Sequence, residues 1–230
     1  MIPIFLIAAV INVLLSTAIV IRLRSSFQNN EKATANKLFI LFYEFFGCAW
    51  VAWTLVYLVD DPYGKNALDI VGYFLLIFST AFIVQVPLLL RQKRAAAFFF
   101  SILELLIALI YALGRVMYFH PMALATTAPF YMWIPTEENQ LIYLLGISTV
   151  PGAIAISVTF YIMGKNASSQ IRKKSVYLAL GKFVLLLAAI IAFFIVPYQN
   201  TLLVYTLAAF LVSTSLLLTF FTIKHFQVTS

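Results

Sequence analysis

The sequence predicts an all-α integral membrane protein, built as a bundle of seven transmembrane helices. Hydrophobic residues fill 63% of its 230 positions and charged residues only 10%, a balance far from that of soluble domains. The apolar residues form runs of about twenty, which as helices are long enough to cross a hydrocarbon core of roughly 30 Å. No run alternates polar and apolar residues as outer-membrane strands do, so a helical bundle is favoured over a β-barrel.

Charged or turn-rich segments separate seven apolar runs, and each run predicts one spanning helix of a single domain covering residues 1–230. In chain order the predicted spans are residues 3–22, 38–59, 68–90, 96–118, 141–163, 176–196 and 201–223. The basic residues of the first run follow its apolar part instead of preceding it. This order differs from a secretory signal peptide and predicts a retained helix.

The basic residues predict the orientation of the bundle, because short cytoplasmic loops retain Lys and Arg. The first, third and fifth connections hold Arg22, Arg24, Lys32, Lys37, Arg91, Lys93, Arg94, Lys165, Arg172, Lys173 and Lys174. The N-terminus is therefore predicted outside and the C-terminus inside, in the cytoplasmic membrane of a prokaryote. The net charge of +7 is interpreted as a topology signal with attraction to anionic lipid, and no nucleic acid is expected as a partner.

Residues that hold cofactors or metals are sparse. Cys48 is the single cysteine, and the two histidines, His120 and His225, fall at opposite predicted faces of the membrane. This disfavours haem ligation and a compact metal site. No phosphate-binding glycine loop or nucleophile elbow occurs, so the sequence predicts no enzyme, no cofactor and no metal.

Three ionisable residues, Glu44, Glu104 and Lys182, lie at a similar predicted depth in the inner half of the membrane. Charged groups in a membrane interior are costly and usually pair, so the three predict one buried polar cluster. Two alternatives stay open. Lys182 extends to the inner surface on its long stem, or the carboxylates form a functional proton or ion site.

The fourth span carries one polar face, spaced by three, four, three and four residues: Ser101, Glu104, Ala108, Tyr111 and Arg115. Arg115 is about 16 Å from Glu104 along the helix axis, too far for a direct ion pair. Asp69 or Glu137 is expected to pair with Arg115 instead. An inward-facing stripe that orients the helix is favoured over a proton-conducting path.

Aromatic residues characterise the outer half, with Trp50, Trp53 and Tyr57 in the second span and Tyr131 and Trp133 in the long fourth connection. At this level aromatic side chains ordinarily form an interfacial belt. The alternative is a segment that folds over the bundle mouth as a lid on an outward-facing aromatic pocket.

Small residues recur along the fifth span beside Pro151: Ser148, Gly152, Ala155 and Thr159. Small side chains let helices approach closely in lipid, so this face predicts a helix contact. A ligand groove at a proline kink is the alternative.

The seven spans, their orientation and the aromatic second span "FGCAWVAWTLVYL" resemble the seven-helix membrane sensor region of bacterial histidine kinases. The resemblance implies a receptor-like input module. Microbial rhodopsins are similar in topology, but their retinal-bearing lysine belongs in the middle of the seventh helix. The seventh span here, "TLLVYTLAAFLVSTSLLLTFF", has no lysine, so no retinal is expected.

The sequence therefore predicts a receptor-like or ligand-binding membrane protein, or a membrane subunit of a larger complex. Its expected partners are the lipid bilayer, other membrane subunits and a small ligand. The alternative function is a small transporter or proton-conducting protein that uses the inner-half carboxylates. A cavity would favour a receptor or carrier, and a solidly packed bundle would favour a structural subunit.

Overall fold

A computed structural model describes residues 2–27, 34–127, 129–134, 139–165, 168–195 and 201–225. The helices are α1 (Ile4–Phe27), α2 (Thr34–Leu55), α3 (Pro62–Ile83), α4 (Gln85–Leu90), α5 (Arg94–Met117), α6 (Asn139–Lys165), α7 (Ser169–Ile190) and α8 (Thr201–His225). A π-helical turn, Ile191–Ile195, continues α7. Three short strands are β1 (Ile2–Pro3), β2 (Ala123–Thr127) and β3 (Phe130–Ile134).

Seven helices in the described ranges are long and apolar enough to cross a membrane, which confirms that part of the predicted fold. They are α1, α2, the α3–α4 pair, α5, α6, α7 with its π-helical turn, and α8. Their outward surfaces expose large apolar side chains, such as Leu14, Phe98, Met117 and Leu203. A helix surface of this kind suits a lipid environment.

Helix ends differ from the predicted spans where polar residues continue a helix. α7 begins at Ser169 instead of residue 176, because lysine and arginine have high helix propensity and need not end a helix. α3 begins at Pro62 instead of residue 68. The Asp61 side chain caps it by accepting a hydrogen bond from the Gly64 N–H at 2.7 Å, with proline at the first helical position.

Six spans form a closed ring. Neighbours in the chain, α1–α2, α2–α3, α6–α7 and α7–α8, pack on each other, α3 contacts α6, and α8 returns to α1. α5 packs on the outside of this ring, against α3, α4 and α6. The buried core therefore lies between the six ring helices, and α5 covers the seam between α3 and α6.

A small sheet covers one end of the ring. β2 and β3 form an antiparallel hairpin in which Leu124 is the partner of Trp133. β1 pairs in parallel with the other edge of β3, so the strand order is β1–β3–β2. The sheet contacts α1 and α8. We call this end of the bundle the hairpin end, and the other the opposite end.

Candidate functional site

The helical ring lines a central, partly open cavity of about 130 Å³. Among the described residues, its walls come from the six ring spans and from the segment around the hairpin, and α5 contributes none. Ten of the described lining residues are aromatic: Phe5, Phe42, Phe46, Trp50, Trp53, Tyr57, Tyr73, Trp133, Phe193 and Tyr205. Small residues line the facing side: Gly152, Ala153, Ala188, Ala189, Ala192, Ala208 and Ala209.

One face of α2 forms an aromatic wall of Phe42, Phe46, Trp50 and Trp53, which are all buried. Their spacing of four, four and three residues places them on a single helix face about 16 Å long. Consecutive ring centroids are 5.4, 6.2 and 4.9 Å apart, which is ordinary aromatic packing. The small residues of α6, α7 and α8 leave open space opposite this wall.

The hairpin lies at one end of the cavity. Met132 and Trp133 of β3 belong to the cavity lining, and the Tyr131 ring packs on Tyr57 with centroids 6.2 Å apart. The buried Lys65 places Nζ 4.6 Å from the centroid of the Trp133 ring. Four of the five residues predicted for an outer pocket or lid line the cavity: Trp50, Trp53, Tyr57 and Trp133. The fifth, Tyr131, contacts the ring of the lining residue Tyr57.

Trp50 and Trp53 do not belong to an interfacial belt, because both side chains are buried inside the ring. The indole N–H of Trp53 donates to Asp69 Oδ1 at 3.1 Å. The indole nitrogen of Trp50 is buried and has no hydrogen-bond partner among the described residues. Buried donors nearly always have one.

A buried ion pair joins α5 to α3 near the hairpin end. Arg115 Nη2 lies 3.2 Å from Asp69 Oδ2 and also donates to the side-chain oxygen of Asn66. Its Nη1 donates to the Tyr111 hydroxyl at 2.8 Å. The sequence predicts Asp69 or Glu137 as the partner of Arg115, and the structure shows Asp69. Glu137 lies outside the described residues. Asp69 also lines the cavity, so this network touches its wall.

Glu104 lies at a second contact between α5 and the ring. Its carboxylate accepts a hydrogen bond from the Ser148 hydroxyl of α6, and Oε2 lies 3.1 Å from Thr80 Oγ1 of α3. One turn earlier, Ser101 lies 3.0 Å from the side-chain nitrogen of Gln85. The polar stripe of α5 therefore faces the ring helices along its whole length.

Lys182 is buried in the wall of the cavity toward the opposite end. The residue is only 1% exposed. Its Nζ donates to the Tyr43 hydroxyl and lies 5.5 Å from the centroid of the Phe42 ring. No carboxylate of the described chain lies within 4.0 Å of Nζ. Among the described residues that line the cavity, Lys182 supplies the one primary amine, and this amine is held by an aromatic hydroxyl instead of an acid.

The predicted cluster of Glu44, Glu104 and Lys182 requires correction, because the three residues pair with other groups. Glu44 forms its ion pair with Arg24 at the surface. The predicted depth of Lys182 in the bundle agrees with that of Glu44, since Lys182 contacts Tyr43, the residue next to Glu44. However, consecutive helical residues point about 100° apart, so Tyr43 points into the bundle toward Lys182, whereas Glu44 points to the surface, where it meets Arg24.

Two further corrections follow from the same geometry. Glu104 cannot reach Lys182 because α5 lies outside the ring and its carboxylate meets α3 and α6. Lys182 does not extend to the surface, because its amine ends at Tyr43 inside the bundle.

The predicted contact face of α6 packs on other helices at three of its four positions and also borders the cavity. Ser148, Gly152 and Thr159 are buried against other helices, whereas Ala155 is exposed and does not belong to the contact face. Gly152 and its neighbour Ala153 also line the cavity. The sequence pattern did not identify Tyr43 as a partner of Lys182. It also did not identify the alanines of α7 and α8 as cavity residues, because alanines at helical spacing equally indicate close helix packing.

Within the described ranges, no three His, Cys, Asp or Glu side chains come together as a metal site. Comparison with known proteins finds no matching family and no matching curated relative. The geometry of the central cavity is therefore the basis for assigning a function.

Proposed function

We propose that the protein is a receptor-like integral membrane protein that binds a small, mainly apolar molecule in its central cavity. The carrying observation is the cavity itself, with an aromatic wall on α2, the hairpin across one end and Lys182 toward the other. We further propose that the protein lies in the cytoplasmic membrane of a prokaryote with the hairpin end outside, which follows the distribution of basic residues.

The walls suit an apolar ligand because ligand pockets are concave, mostly hydrophobic, and contain a few polar groups that fix orientation. The polar groups here are few and well separated, with Asp69 near the hairpin end and Lys182 toward the other. The volume of about 130 Å³ approaches that of an engineered apolar cavity that holds benzene. A molecule of about one aromatic ring with a short chain is therefore the expected size.

All three tryptophans of the chain line the cavity, so their fluorescence reports directly on its occupancy. The test is titration of the detergent-purified protein with 3-phenylpropan-1-ol, a neutral probe of the expected size. We expect saturable quenching or a spectral shift of the tryptophan emission. Absence of saturable binding would contradict the proposal.

A matched pair of variants locates the binding. Ala153 lines the cavity and Ala155, two residues later on α6, is exposed. Ala153→Leu should weaken binding by about 1–3 kcal/mol, a factor of roughly 5–150, because the added side chain fills the same space as the ligand. Ala155→Leu should leave the affinity unchanged. Equal effects of the two substitutions would place the probe elsewhere, for example in the detergent.

A transporter or proton-conducting function is a second candidate, supported by one contact. Thr80 lines the cavity and also lies 3.1 Å from the Glu104 carboxylate, so a hydrogen-bonded path leads from the cavity to a buried acid. Proton uptake into liposomes that contain the protein, lost in Glu104→Gln, would favour this function. Ligand binding without any such flux would favour the receptor.

A further inference from the structure

We infer that Lys182 is the anion-binding residue of the central cavity, and that the ligand is an apolar carboxylate whose acid group meets this lysine. The inference rests on the proposed ligand-binding function and adds to it the chemical class of the ligand. It is carried by the position of Lys182 in the cavity wall and by the engagement of the nearby acids with other partners.

The surroundings of Lys182 leave part of its hydrogen-bonding capacity for a ligand. A lysine ammonium has three N–H donors. One donates to the Tyr43 hydroxyl, and the Phe42 ring lies beside the group at 5.5 Å. A neutral hydroxyl and an aromatic ring solvate a cation only in part, so an anion in the cavity would gain a charge-assisted hydrogen bond there.

Among the described residues, the acids of the helices do not supply this anion. Asp69 is held by Arg115, and Glu44 by Arg24. Glu104 belongs to the α5 contact, where it accepts hydrogen bonds from the ring helices. A buried charge is costly unless it is paired, so the binding of an external carboxylate at Lys182 would relieve this cost.

The rest of the lining selects the body of the ligand. From Lys182 the aromatic wall continues along α2 toward Trp53, and it faces the small side chains of α7 and α8. A carboxylate head at Lys182 therefore places an apolar ring or chain between Phe46 and these alanines. A ligand with a second negative charge would meet no further basic residue among the described residues that line the cavity.

The experiment compares 3-phenylpropionate, which is ionised at neutral pH, with 3-phenylpropan-1-ol, which has the same shape without the charge. In the unaltered protein we expect the acid to bind about tenfold more tightly than the alcohol, since a hydrogen bond to a charged group adds about that factor. Lys182→Met should weaken the acid by about ten- to hundredfold and leave the alcohol nearly unchanged. Lys173→Met, an exposed lysine change on the same helix, should affect neither probe.

The outcomes separate the two proposals. If the alcohol binds as tightly as the acid, or if Lys182→Met leaves the preference intact, the anion assignment is overturned and the cavity function stands. If neither probe binds, both proposals fall. The acid-to-alcohol ratio in the unaltered protein decides the case even if Lys182→Met does not fold. Hexadecanoate is much larger than the cavity of about 130 Å³ and is tested in parallel to identify the source of the acid. Lys182-dependent binding of this acid would require its chain to extend out of the cavity into lipid, which would point to the lipid phase and still support the assignment.

Discussion

Arg115 and Asp69 show how single residues hold α5 on the ring. Both side chains are buried, and each has a second partner, Asn66 for the arginine and Trp53 for the aspartate. In apolar surroundings, the loss of one member of a buried ion pair leaves an uncompensated charge, which costs about 3–5 kcal/mol. Replacement of both members by neutral groups costs much less, because no charge is left unpaired.

The first prediction at this scale is a double-mutant cycle. Arg115→Met should lower the free energy of unfolding in detergent by about 3–5 kcal/mol, and the addition of Asp69→Asn should restore part of the loss. Arg24→Met is the control, because its ion pair with Glu44 is 66% and 28% exposed and should contribute at most about 1 kcal/mol. Strictly additive effects at Arg115 and Asp69, measured by denaturant unfolding, would contradict the coupling.

The sequence predicts how deep the ionisable residues lie along their helices, but it does not predict the direction in which each side chain points. The polar stripe of α5 and the pairing of Arg115 with Asp69 follow from helical spacing and from the cost of a charge in an apolar interior. Lys182 was placed near its true level, but its partner is Tyr43 and not an acid. Two helices with ionisable groups at one depth pair only if both groups face each other, and the rotation of each helix depends on its neighbours.

At the scale of elements, the hairpin was the main feature that the seven-span prediction lacked. Its segments "ALATT" and "FYMWI" are rich in β-branched or aromatic residues and are separated by two residues, one of them proline, which is a recognisable strand signal. An aromatic run beside a membrane span equally indicates an interfacial belt, and this masked the signal. The parallel pairing of Ile2 with Phe130 depends on the whole fold and has no local signal.

The hairpin supplies the second prediction, which concerns access to the cavity. Trp133→Ala should raise both the association and the dissociation rate of 3-phenylpropan-1-ol, because it removes a large side chain from the hairpin end of the cavity. The equilibrium affinity should change less than either rate. Leu124→Ala is the matched control, since Leu124 is the exposed strand partner of Trp133. Unchanged rates in Trp133→Ala, measured by stopped-flow tryptophan fluorescence, would mean that the probe enters by another route.

At the scale of the whole molecule, the distribution of basic residues predicts that the hairpin end faces outward. Single cysteines at Leu124 and Ser168, both exposed, test this in a Cys48→Ala background. An impermeant thiol reagent added to intact cells should label Leu124→Cys and should leave Ser168→Cys unlabelled until the cells are opened. The reverse pattern would invert the orientation.

The number of long helices could be predicted from the sequence because the length and polarity of each apolar run depend only on local composition. The closed ring, the position of α5 outside it and the cavity could not. They depend on which helix faces meet, and apolar side chains that face lipid are chemically the same as those that face another helix. Ionisable residues such as Arg115 and Glu104 are costly in lipid, so only such residues indicate which face of their helix points into the bundle.

The hydrogen bonds between α1 and α8, which close the ring, can form only after most of the chain has been synthesised. Asn12 of α1 accepts from the Ser213 hydroxyl at 2.7 Å and donates to the Ala209 carbonyl at 3.4 Å, across chain separations of 201 and 197 residues. At about 5–20 residues per second, a ribosome needs roughly 10–40 s to make the second half of this contact. During that interval the Asn12 amide lacks both of these partners, so the hydrogen-bonded contact between the first and the last helix forms only at the end of synthesis.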